Sequence, residues 1–177
     1  MKKIKSILVP VDFSECSIDA LKFAAKAALK TNATIHLLSV IEKQNYYFLG
    51  SEPIAMSPEF IHSNIRYDEN LKKEIRNKLE ILKSSSFLKG INVDCKVGIC
   101  LKVYKSINEY ARISNSDFII MGSNGAHGIS KILIGSNAER VARFSEIPVL
   151  VINQKISKVK TVIFASDFEK ESSKVFP

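Results

Sequence analysis

Tryptophan is missing from the 177 residues, and cysteine, with three residues, is scarce. Cys16, Cys95 and Cys100 are odd in number and lack metal-ligand spacing, so neither a disulfide framework nor a metal centre is expected. A reducing, cytoplasmic compartment fits that usage. No apolar run approaches the roughly 18 residues a membrane span needs, so no membrane partner is expected. The basic opening Met1-Lys2-Lys3-Ile4-Lys5 leads only into the short apolar run Ile7 to Val11, too short for the core of a signal peptide. The P-loop pattern G-x4-G-K-[S/T] is absent, and no G-x-G-x-x-G follows the first strand, which argues against an NAD enzyme. Aromatics are also few, at 8%, and none accompanies the basic residues as a stacking platform. The formal net charge of +8 therefore does not predict a nucleic-acid partner. Its densest set, Lys72, Lys73, Arg76, Lys78 and Lys83, is interleaved with Glu69, Glu74 and Glu80, as on a solvated helix face.

What is present is an ordinary globular composition, 46% hydrophobic and 25% charged, in a length that suits one domain with an appendage. Residues 6–11, SILVPV, are apolar on both faces and predict a buried parallel strand. Ser14 is the expected N-cap of a helix running to about Lys30, with Leu21, Ala24, Ala25 and Ala28 as its apolar stripe. A second strand is expected over 33–41. The stretch 42–58, with Tyr46, Tyr47, Phe48, Gly50, Pro53 and Pro58, reads as a long irregular loop. Its aromatics either cover a ligand or pack on the domain, the latter being the commoner use. A long helix is expected over 59–88, a strand over 91–97, a turn at Gly98-Ile99-Cys100 and a helix over 101–113. A strand over 117–121, a helix over 136–144 and a strand over 147–152 complete the series, with Pro148, which cannot donate to a ladder, near that last strand's start or on an edge. The alternation predicts an α/β fold: an open five-stranded parallel sheet with helices on both faces. Ligands in such sheets sit beyond the carboxyl ends of the strands, where strand order reverses.

Four of the seven glycines fall in residues 119–137, IIMGSNGAHGISKILIGSN: Gly122, Gly125, Gly128 and Gly135. An apolar strand enters this stretch and a helix leaves it at Ser136. Glycines let backbone N–H groups approach a ligand, and a helix start adds unpaired N–H groups and the positive end of its dipole. Ser136 is placed to cap that helix or to donate to a phosphate oxygen. The competing reading is a surface loop with a tight turn. If the first and fourth strands are neighbours, Asp12 and the glycine loop converge on one crevice.

The C-terminal residues carry an internal repeat. Residues 3–13 read KIKSILVPVDF and residues 158–168 read KVKTVIFASDF, with Lys3, Lys5, Asp12 and Phe13 matched identically at one fixed offset. The expected organisation is a first domain over 1–153, and over 154–177 a linker with the first strand of a second, truncated repeat. Val162 to Ala165 is an apolar strand, and the segment Val159 to Ala165 is expected either to pair with a sheet edge of this chain or a partner, or to be disordered.

Taken together, these features resemble the universal stress protein family. The resemblance rests on the opening KSILVPVDFSECSIDALKFA, on the spacing G-x2-G-x9-G-[S/T] at Gly122, Gly125, Gly135 and Ser136, and on the closing strand after Pro148. It implies the adenine nucleotide alpha-hydrolase-like fold with strand order 3-2-1-4-5, and a homodimer through the strand from Pro148 to Ile152. It further implies an ATP-binding regulatory or stress-response module, possessing at most weak ATP hydrolysis, with Mg²⁺ accompanying the nucleotide. The alternative is a dimeric interaction protein of the same fold that binds no nucleotide. Carried over by motif, Asp12 would hold the ribose hydroxyls. Pro10, Val11 and Val40 would line the adenine, and Met121 and Gly122 would flank base or ribose. Backbone N–H groups around Gly125, Gly135, Ser136 and Asn137 would cradle the phosphates. Many members carry a basic residue after the second glycine, where this chain has Ala126. His127 is the candidate replacement, and Lys131 is a second cation nearby.

Overall fold

Strand β1, Ser6–Pro10, is the centre from which the rest is laid down: Ile7, Leu8 and Val9 are 0–1% exposed. The computed structural model describes residues 3–43, 48–49, 52–53, 58–123 and 134–153, with backbone alone over 48–49, 52–53 and 58–65. After β1 come helix α1 (Glu15–Thr31), strand β2 (Thr34–Glu42), the two-residue strands β3 (Phe48–Leu49) and β4 (Glu52–Pro53), and helix α2 (Pro58–Lys83). A 3₁₀ turn at Ser86–Leu88 precedes β5 (Val93–Cys100), α3 (Val103–Ile113), β6 (Phe118–Gly122), α4 (Ser136–Phe144) and β7 (Val149–Ile152). Five strands form one sheet in the order β5-β2-β1-β6-β7, every pairing parallel. Counting only those five, this is the expected order 3-2-1-4-5.

The period of two along each strand divides the core in two. Ile7, Val9, Val11, Ile35, Leu37 and Ile120 point to the face covered by α1 and α2, where Ala20, Leu21, Ala24 and Leu79 meet them. Leu8, Leu38, Ile119 and Met121 point to the opposite face, against Ile107 and Ala111 of α3 and Ala138 and Val141 of α4. The alanines of α1 let it lie close to the sheet, as its pattern predicts. Asp117 ties the sheet's lower end together, its Oδ2 accepting the N–H groups of Lys5 (2.9 Å) and Ser6 (3.2 Å).

Three sequence expectations are corrected. The segment 42–58, read as irregular, contains the antiparallel β3–β4 pair. Gly98 to Cys100, read as a turn, is strand: β2 runs on to Glu42, and Val40, Ile41 and Glu42 pair with Gly98, Ile99 and Cys100. A neighbour offering backbone partners outweighs glycine's weak strand preference. The helix expected over 59–88 ends at Lys83, where Ser84 folds its hydroxyl back onto the Glu80 carbonyl at 3.0 Å. Serine hydroxyls compete with the helix in this way, and a separate 3₁₀ turn follows.

Candidate functional site

The crevice is built where the chain leaves β1 and β6. These strands are neighbours, Ile7 and Leu8 pairing with Phe118 and Ile119, so the condition for Asp12 and the glycine stretch to share one end of the sheet is met. Phe13 has φ +65°, a left-handed conformation uncommon for a bulky residue. The turn it makes brings Ser14 back over Asp12. Asp12 Oδ1 accepts from Ser14 N–H (3.1 Å) and Ser14 Oγ–H (2.6 Å). Ser14 Oγ in turn accepts from Ser17 N–H at 3.3 Å, capping α1 as expected. The exposed carboxylate of Asp12 is therefore held in one orientation beside the positive end of a 17-residue helix.

Gly122 faces that helix across the crevice floor. A Cβ on Gly122 would stand 2.9 Å from the carbonyl carbon of Cys16, 3.0 Å from Ser17 N and 3.1 Å from Cys16 O. All three are backbone atoms. Glycine is required here so that β6 and the first turn of α1 can touch.

Ser123, which sequence reasoning passed over, joins the pieces. It is 3% exposed. Its N–H donates to Ile152 O, the end of β7, and its carbonyl accepts from Gly135 N–H, both at 2.7 Å. The Cys16 thiol donates to the same Ile152 carbonyl at 3.2 Å and lies 3.7 Å from Ser123 Oγ. The starts of α1 and α4 and the ends of β6 and β7 thus meet around one residue. A lone serine after a strand gives no sequence signal of this.

The start of α4 differs from the capping expected of Ser136. Gly135 is the N-cap, with no side-chain capping bond, and Ser136 is the first helical residue. The helix's own bonding begins with Glu139 N–H to Gly135 O at 3.0 Å, so its earlier N–H groups have no intrahelical acceptor. Gly135 has φ −63° and ψ 148°, a conformation open to any residue. Backbone geometry therefore does not explain a glycine at this helix start.

Of the other predicted site residues, Pro10, Val11 and Met121 are buried, Val11 and Met121 as members of the two cores, while Val40 is half-buried. Asn137 is half-buried and Ser136 exposed. Gly125 and His127 lie outside the described residues, as do Ala126, Gly128 and Lys131. Among the described residues, no group of three or more His, Cys, Asp or Glu is placed to hold a metal ion. No described helix is long and apolar enough to cross a membrane. A cavity of about 560 Å³ lies elsewhere, between α3 and the turn after α4, lined by Tyr104, Asn108, Arg112, Asn115, Phe144 and Ile147 among others. It contains none of the predicted site residues; the crevice rests on strand order and backbone geometry.

Residues 3–153 match the universal stress protein family. The chain belongs to that family. Among its universal stress protein relatives, MJ0577 of Methanocaldococcus jannaschii is 33% identical over 162 residues, 86% of this chain and 97% of the relative. The solved structure of MJ0577 superposes with a TM-score of 0.67 at 29% identity, covering 85% of this chain and 96% of that one. A universal stress protein solved in complex with cAMP has a TM-score of 0.54 at 16% identity, covering 85% and 98% of the two chains. One from Archaeoglobus fulgidus, in complex with dAMP, has a TM-score of 0.54 at 19% identity, covering 85% and 99%. These last two show the shared fold.

Proposed function

We propose that this universal stress protein binds ATP in the crevice between β1 and β6 and serves as a regulatory or stress-response module with little or no turnover. The observation that carries the reading is the start of α4: an N-terminus that no side chain caps among the described residues, opened by a glycine its conformation does not need, and tied through Ser123 to the crevice floor. Such an N-terminus suits a phosphate, since backbone N–H groups and the dipole both favour an anion there. Asp12, held by Ser14, is the group for the ribose hydroxyls. Val40 offers the base an apolar edge, with Pro10, Val11 and Met121 supporting it from the core, and Gly122 at the boundary. Ser136 and Asn137 contribute N–H groups to the phosphates, while Gly135, whose own N–H is held by Ser123 O, leaves their approach free of a side chain. Gly125 and His127 are assigned to the same cradle by motif alone and lie outside the described residues. Mg²⁺ is taken to arrive with the phosphates. Two structural neighbours holding cAMP and dAMP support an adenine nucleotide as the ligand class.

A fluorescent ATP analogue tests this. Losing a charged hydrogen-bond acceptor and blocking the helix start should together weaken binding about 100-fold in the Asp12→Ala, Gly135→Val double variant. Undiminished binding by that variant would refute the site.

A second reading is favoured by β7. Among the described residues it is an edge strand, and its Val149, Leu150 and Val151 are only half-buried, whereas Ile7, Leu8 and Val9 in central β1 are fully buried. Apolar surface at an open edge suits pairing with a second copy through Pro148 to Ile152. A homodimer of this kind is compatible with nucleotide binding and would also serve an interaction protein that binds none. The proposed division into a domain over 1–153 and a repeat segment over 154–177 adds a second edge-seeking strand, Val159 to Ala165. Light scattering on chains ending at Gln154 and at Pro177 separates the two contributions. A concentration-independent monomer in both cases would contradict association.

A further inference from the structure

The contacts of Ser123 carry a consequence beyond ligand binding, resting on the ATP reading of the crevice. We infer that Ser123 is a positioning residue through which nucleotide occupancy at the start of α4 is coupled to the sheet edge at β7. Its two backbone groups act in opposite directions. The carbonyl holds Gly135 N–H, immediately before the helix start that would receive the phosphates. The N–H holds Ile152 O, on the last residue of the edge strand. Both bonds are 2.7 Å long, and Ser123 and Ile152 are almost fully buried, at 3% and 0%. Water therefore does not reach the backbone of Ser123 or Ile152 without an opening of the structure, whereas Gly135 is half-buried.

The node has little slack. Gly122, one residue before Ser123 and paired with Ile152, rests against the backbone of Cys16 and Ser17, so the β6 end cannot move toward α1. The Cys16 thiol occupies a second lone pair of the Ile152 carbonyl, so β7 is also fixed to α1. A ligand that orders Gly135 and the first turn of α4 strengthens the Gly135–Ser123 bond. It thereby stabilises the Ser123–Ile152 bond and the ladder between β6 and β7. Coupling of this type is reciprocal: whatever stabilises β7, including a second copy paired on its edge, raises nucleotide affinity by the same factor. The other edge strand, β5, lies across β2 and β1 from the node and does not share it.

Amide hydrogen exchange of the full chain, read by mass spectrometry with peptide resolution, tests the coupling at a concentration where the chain is monomeric. Saturating Mg·ATP should slow exchange across β7 about fivefold, the factor one net backbone hydrogen bond is worth, and leave β5 unchanged. Gly135→Pro removes the single N–H that bonds Ser123, and the φ of −63° at this position already suits proline. Without nucleotide, this variant should exchange about fivefold faster over β7 and at the normal rate over β5, whose protection also reports that the chain is folded. Gly135→Ala keeps the N–H and should leave β7 exchange in the nucleotide-free protein unchanged. Bound ATP with no effect on β7 would overturn the coupling. If ATP does not bind, the ligand reading fails separately, and the comparison of the proline and alanine variants decides the coupling. Equal β7 exchange in those two variants would overturn it, and a selective rise in the proline variant would sustain it.

Discussion

Replacing Gly122 with alanine adds one methyl group where three backbone atoms lie within 3.1 Å. None of them ends a flexible side chain, so relief requires the first turn of α1 to move away from β6. Overpacking of this kind costs about 1–3 kcal/mol. Against it stands a gain of about 0.5–1 kcal/mol from restricting the unfolded chain. The net loss is about 0–2.5 kcal/mol, towards the upper end because the close atoms are all backbone, and in a domain of this size it lowers the melting temperature by up to about 10 °C. The displacement also reaches the site, because the turn that must move carries the Ser14 cap and, through it, the orientation of Asp12. Gly122→Ala should therefore melt earlier and bind ATP more weakly, even at temperatures where it is fully folded. Thermal unfolding followed by circular dichroism, with nucleotide titration at 15 °C, reads both effects. A melting temperature equal to or above that of the unaltered protein would refute the close-approach argument.

Further outcomes follow from the same contacts. Ser14→Ala removes the α1 cap and a partner of Asp12, and should cost about 1 kcal/mol in urea unfolding, together with weaker nucleotide binding. Leu8→Ala, at a fully buried position in the α3–α4 core, should cost about 2–5 kcal/mol by the same assay without altering the crevice directly. Burial pushes the Cys95 and Cys100 thiols above their ordinary value of 9.0, with the Glu80 carboxylate adding to the effect at Cys95. Their contribution to stability is complete below that value and is lost as pH rises through the higher folded-state value. Urea unfolding between pH 8 and 10 should accordingly show falling stability, and the Cys95→Ala, Cys100→Ala double variant should show a shallower fall.

The fold was legible because each strand declares itself twice, as a run of β-branched and aliphatic residues and as the alternate of a helix. Leu21, Ala24, Ala25 and Ala28 sit in the core as their spacing predicts. What escaped were features decided by neighbours. Gly98 is strand because β2 supplies partners as far as Glu42, and α2 stops at Lys83 because Ser84 turns its hydroxyl inward. In the crevice, residue types singled out Asp12, Gly122 and Gly135 as candidates, because their chemistry is particular to them. Ser123 was invisible because it works chiefly through its backbone, which every residue possesses. Gly122 was visible but for another reason than the one its motif suggests: its missing side chain makes room for α1.

The central claim, that nucleotide enters between Asp12 and the start of α4, is tested most directly by titrating Mg·ATP into isotopically labelled protein and following backbone amide resonances. Saturable shifts are expected, concentrated at Asp12, Gly122, Ser123 and Gly135 to Asn137, with smaller ones at β7. Shifts clustering instead around Tyr104, Arg112 and Phe144, or none at millimolar ATP, would contradict it.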